Sequence, residues 1–121
     1  DGTRPWFVDW EAAFSNDRYA DLANSASFFS TDHDAYLAAY LGRPPTDEQR
    51  ERFAQMRFIV HVSYVAFVGL LAAAAGPQPT PDFRAFHDGL IDGTIDLQAI
   101  ENKQQYANVH LAAARAAIHS Q

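Results

Sequence analysis

The stretch from Phe58 to Ala75, 18 residues without a formally charged side chain, restricts this chain's folding more than any other feature. Upstream, Thr46 with Gln49 three residues later forms a capping-box pattern, and downstream Gly76-Pro77 ends any helix. The spacing therefore predicts one long helix over 47–75, the spine of whatever the chain builds. Its apolar length reaches that of a membrane span. Against a membrane stand its many alanines, the polar His61, Ser63 and Tyr64, and Arg52 and Arg57 on the same helix. The expectation is a central helix buried in a soluble bundle, with no membrane partner.

Around this spine the pattern is helical, with one exception. Asn16 or Asp17 can cap a helix through Tyr19, Leu22, Ala23 and Ala26 that ends near Ser30. Thr31 or Asp32 caps a second, short helix carrying Tyr36, Leu37, Tyr40 and Leu41, which Gly42-Arg43-Pro44-Pro45 stops. After the connector Gln78 to Pro81, two further helices are expected from Asp82 to about Ile91 and from Asp96 to His119, parted near Gly93-Thr94. The exception is Arg4 to Trp10, RPWFVDW, whose aromatic and β-branched residues read as a buried strand. A lone strand cannot satisfy its own backbone, so its partner is expected upstream, with Asp1-Gly2 as the turn of a hairpin cut in half. The expected fold class is mainly α, one N-terminal strand followed by about five helices, forming a single unit over 1–121 that resembles part of an α+β domain.

Composition removes several functions. Nine Lys+Arg against 15 Asp+Glu give a formal charge of −6, which leaves no basic stripe for nucleic acid. The absence of cysteine removes disulfides, thiolate chemistry and cysteine zinc sites, and with the lack of a signal-peptide pattern at Asp1 to Pro5 it points to the cytoplasm. The five histidines, His33, His61, His87, His110 and His119, never show zinc-helix spacing and read as core or surface imidazoles. Asp88, Asp92 and Asp96 read as a solvated face, and no G-x-S-x-G elbow supports a hydrolase.

Chemistry concentrates in Trp6-Phe7-Val8-Asp9-Trp10-Glu11, followed by Asp17-Arg18-Tyr19-Ala20-Asp21-Leu22-Ala23-Asn24. A carboxylate ending an apolar strand suits a hard Mg²⁺ that bridges nucleotide phosphates, so Asp9 is the candidate metal ligand, and Glu11, on the same side by strand alternation, can assist. This strand, polar loop and Asp-Leu-Ala helix resemble the aminoglycoside phosphotransferase and choline/ethanolamine kinase family, of protein-kinase-like fold. The resemblance covers about 20 residues. It implies that Asp9 holds Mg²⁺, that Asp21 accepts hydrogen bonds from the catalytic-loop backbone, and that ATP and a small hydroxylated, cationic acceptor are the substrates. Asn16 and Asn24 tilt it toward the choline kinase side. The family's His-x-Asp-x-x-x-x-Asn loop and small-lobe lysine are absent, and the one lysine, Lys103, sits in the last expected helix. The chain is thus expected to be the helical C-lobe portion of a longer phosphotransferase, inactive alone, with the N-lobe and catalytic loop upstream. Phe28, Phe29, Tyr36 and Tyr40 are possible walls of the acceptor pocket, although their spacing favours core. The alternative is a non-catalytic helical interaction module whose aromatic strand pairs with another chain.

Overall fold

The computed structural model describes residues 17–119, and these form five helices with no strand among them. The expected strand, with Asp9 and Glu11, lies outside the described residues. Helix α1 spans Arg18–Phe29, α2 His33–Leu41, α3 Asp47–Ala72, α4 Phe83–Asp92 and α5 Ile100–His119, with a 3-10 turn Ala73–Ala75 ending the spine.

The capping residues fix the helix starts. Asp17 accepts from the Tyr19 amide, Asp32 from the Ala35 amide and Asp82 from the Ala85 amide, each satisfying an orphan donor of a first turn. At α3 the capping box is reciprocal: the Thr46 amide donates to Gln49 Oε1 at 2.9 Å, and the Gln49 amide donates to Thr46 Oγ1 at 3.3 Å. Gly42 and Gly93 end α2 and α4 at φ 68° and 80°, left-handed positions that cost other residues more. The last helix starts later than its sequence suggests. Asp96 takes the Gln98 amide on its carboxylate and the Ala99 amide and Asn102 side chain on its carbonyl, so residues 96–99 form a turn ahead of Ile100.

The most extensive pairing joins α3 to α5, with α1 also packed on α3. Contacts between His61 and His110 and between Gly69 and Ala107 run in opposite senses, so α3 and α5 are antiparallel. Small residues permit the close approach: Ala23, Ala26, Ala72, Ala107, Ala114 and Ala117 are all buried.

Two apolar clusters share the spine. One gathers Tyr19, Ala23, Ala26, Leu37 and Phe53 from α1, α2 and α3. The other gathers Val68, Phe86, Tyr106 and Val109 from α3, α4 and α5. Burying a side chain the size of Leu37 or Phe86 contributes about 1.5–3 kcal/mol.

The expectation of an enclosed spine needs correction. Helix α3 buries Phe53, His61, Val68 and Ala72, but Ile59, Val62, Phe67, Leu70 and Leu71 are exposed, Leu70 at 81%. The charge-free stretch looks two-sided in sequence because both faces are apolar, yet α1 and α5 cover only one. By length and composition alone α3 also suffices to cross a membrane, a test that core helices of soluble bundles pass as well.

Candidate functional site

Of the three residues picked out in sequence, Asp9 and Glu11 lie outside the described residues. Asp21 lies in the first turn of α1, where the helix dipole favours a carboxylate. It is exposed, and its side chain makes no hydrogen bond or ion pair with any described residue, although its carbonyl accepts from Ser25 Oγ at 3.0 Å. It borders an open groove of about 600 Å³ with Arg18, Leu22, Ser25, Phe29, Tyr36 and Tyr40. The Tyr36 hydroxyl donates to Ser25 Oγ at 2.9 Å, which ties α2 to α1 and fixes one wall. Phe29 and Tyr40 leave much of their ring surface open. A carboxylate beside exposed aromatic rings can accept backbone donors or hold a cation.

The neighbouring motif residues have structural work. Asp17 caps α1 and receives Arg52 from α3; the Tyr19 amide first, then that guanidinium, hold its carboxyl below the usual carboxylate range. Asn24 accepts from the Tyr64 hydroxyl at 3.1 Å. Of the four aromatic wall candidates, Phe28 is not in the groove: its ring packs against His87, 4.9 Å between centroids, and against Tyr64 edge-on.

That packing opens onto a cluster that spacing alone could not reveal. His61 of α3, His87 of α4 and His110 of α5 are buried among Phe28, Tyr64, Phe83 and Tyr106, with Tyr64 stacked on His110 at 4.3 Å. The hydrogen bonds assign the protons. The Ser27 hydroxyl is committed to the Ala23 carbonyl at 2.8 Å, so its oxygen can only accept from His61 Nε2 at 3.4 Å. His61 Nδ1 is then a lone pair, and His110 Nδ1–H donates to it at 2.9 Å. His87 Nδ1–H donates to the Phe83 carbonyl at 2.7 Å. What remains is a bare, buried Nε2 lone pair on each of His87 and His110. Burial first, then the neighbouring Arg57, His33 and His87, push His61 down to about 4, and burial, then His61 and His87, push His110 down to about 3. Burial lowers His87 as well and raises the Tyr106 phenol. The cluster is therefore a neutral, dipolar part of the core at pH 7.

Three of the five histidines are thus core imidazoles; His33 is half-buried. Among the described residues no group of three or more His, Cys, Asp or Glu side chains is placed to hold a metal ion. Asp88, Asp92 and Asp96 are exposed, and Asp92 receives the amide and hydroxyl of Thr94 in the turn that closes α4.

No protein-family model matches the chain, and no curated protein or solved structure shows detectable similarity to it.

Proposed function

We propose that the chain is the helical C-terminal portion, in the sense of a protein-kinase-like C-lobe, of a cytoplasmic ATP-dependent phosphotransferase that phosphorylates a hydroxyl of a small cationic acceptor, choline-, ethanolamine- or aminoglycoside-like. One observation carries the reading: Asp21, twelve residues after Asp9 and inside Asp-Leu-Ala-Asn, is an exposed carboxylate in a helix first turn with no partner among the described residues. A family member needs that free carboxylate for the catalytic-loop backbone, which accounts for an acid left open beside an aromatic groove. Asp9, with Glu11 assisting, would hold Mg²⁺, and the bound ion would neutralise nucleotide phosphates. Asp21 would fix the loop whose own acid orients the acceptor hydroxyl. The N-lobe and that loop belong to the upstream part of the same polypeptide on this reading, and the uncovered apolar face of α3 agrees with further protein packed there.

That same face favours the second reading, a non-catalytic helical interaction module, since exposed Phe67, Leu70 and Leu71 suit a partner equally well. Mg²⁺-dependent ADP release by the full-length polypeptide across choline, ethanolamine and aminoglycosides separates the two. Acceptor-stimulated turnover that collapses in Asp9→Ala and falls sharply in Asp21→Ala is the outcome expected of the phosphotransferase. Absence of turnover with every acceptor favours the module.

A further inference from the structure

One recess in the bundle carries a positive charge that nothing in the described chain answers. It lies where the end of α1, the start of α2 and the middle of α3 meet, measures about 280 Å³, and is lined by Ser27, Ser30, Thr31, His33, Arg57 and His61. Phe83 and two alanines of α5 close its far side. No acidic residue lines it.

Arg57 is its centre of charge. The neighbouring arginines are matched, Arg50 with Asp34 and Asp47, and Arg52 with Asp17. Arg57 makes no ion pair with a described residue, and its Nε is sealed from solvent without a hydrogen-bond partner. Burial weakens its hold on its proton, and no carboxylate offsets that. The same charge disfavours protonation of His33 and His61. The side chain is only half-buried: with Nε sealed inside the fold, the two terminal nitrogens, which have no hydrogen-bond partner among the described residues, are the donors an arriving anion would meet through charge-assisted hydrogen bonds.

The nearest acids do not fill this role. Asp32 and Asp34 are exposed; Asp32 Oδ1 is taken by the Ala35 amide and Asp34 by Arg50. The Ser30 hydroxyl donates to the Asp32 carbonyl and Ser27 to Ala23, so neither has a proton to give. The Thr31 hydroxyl and the His33 imidazole have no hydrogen-bond partner among the described residues and remain available donors.

We propose that this recess is a binding site for a small organic anion, a phosphate monoester or a carboxylate, held by the Arg57 guanidinium with Thr31 and His33 as further donors and Phe83 against its apolar body. Its volume stands at the lower end of the ligand-pocket range, about 300 Å³ upward, which limits the ligand to a compact molecule. The proposal does not rest on the phosphotransferase reading: it uses no motif residue, and the groove at Asp21 shares none of its lining.

The test is an NMR titration of the full-length polypeptide with phenyl phosphate, benzoate and inorganic phosphate at constant ionic strength, with chloride as the control. Saturable shifts at Thr31 and His33 are expected, with an affinity reduced at least about tenfold in Arg57→Gln, the loss of one charge-assisted hydrogen bond. Arg57→Lys and the surface change Thr31→Val, neither of which removes the charge, should weaken binding less, and they keep the test valid if Arg57→Gln fails to fold. A preference for phenyl phosphate marks a phosphate site and a preference for benzoate a carboxylate site. Shifts that follow chloride, that never saturate, or that survive in Arg57→Gln would overturn the site.

Discussion

The two ends of the spine solve the same packing problem with different chemistry. Around Phe53, α1 and α2 bury Tyr19, two alanines and Leu37, with no imidazole in the cluster, and the charges stay outside as Arg50 with Asp34 and Arg52 with Asp17. Around Val68, α3, α4 and α5 pack rings together, and three of those rings, one from each helix, are imidazoles whose nitrogens must be paired or left bare. An apolar core is indifferent to pH, whereas an imidazole core holds only while its members stay neutral. His61, between Phe53 and Val68 on the same helix, is where the two meet.

The largest break in this comparison should come from truncation. Phe86→Ala empties the ring cluster at a 1% exposed position and should cost about 3–5 kcal/mol, and Leu37→Ala in the apolar half about 2–5 kcal/mol, both measured by denaturant unfolding. Because α3 belongs to both halves, each variant should shift one common transition; two separate transitions would divide the halves.

Acid should sharpen the contrast. His61 and His110 are depressed in the folded state, to about 4 and about 3, from an ordinary 6.5. The unfolded chain therefore binds the extra protons first, so stability is intact above pH 6.5 and falls as pH drops toward 4, by on the order of 3 kcal/mol for one such histidine. His110→Phe should flatten this slope while Leu37→Ala leaves it unchanged; equal slopes in all three proteins would place the acid sensitivity elsewhere.

Smaller effects belong to the apolar half's ends. Thr46→Ala removes one arm of the capping box at α3 and should cost about 1 kcal/mol in thermal unfolding. Asp34→Asn breaks an exposed pair with Arg50 and should cost less than about 1 kcal/mol, vanishing in high salt.

The helices were legible because their punctuation is local. Thr46 with Gln49, Asp17, Asp82, Gly42 and Gly93 announce ends from within a few residues, and the structure uses each as a cap or stop. Asp96 misled for the same reason: an acid ahead of a helical run reads as a cap, but here it gathers the Gln98 and Ala99 amides into a turn. The imidazole cluster was illegible because its members, at 61, 87 and 110, share no spacing and meet only when α3, α4 and α5 pack. Arg57 had one signal, a cation four residues before His61 at the edge of a charge-free stretch, and in sequence it counted only against a membrane span. At the candidate site the helix start expected at Asn16 or Asp17 puts Asp21 in a first turn, where it stands; its open carboxylate needed the neighbouring side chains to be seen.

The most direct measurement for the proposed function is the affinity of the full-length polypeptide for Mn²⁺·ATP, followed by electron paramagnetic resonance in the natural protein, Asp9→Asn and, as a surface control, Asp88→Asn. Binding weakened at least about tenfold by Asp9→Asn, with metal-free ATP and the control unaffected, is the expected result for a carboxylate that holds the nucleotide's metal. Equal Mn²⁺·ATP binding in all three proteins would contradict it.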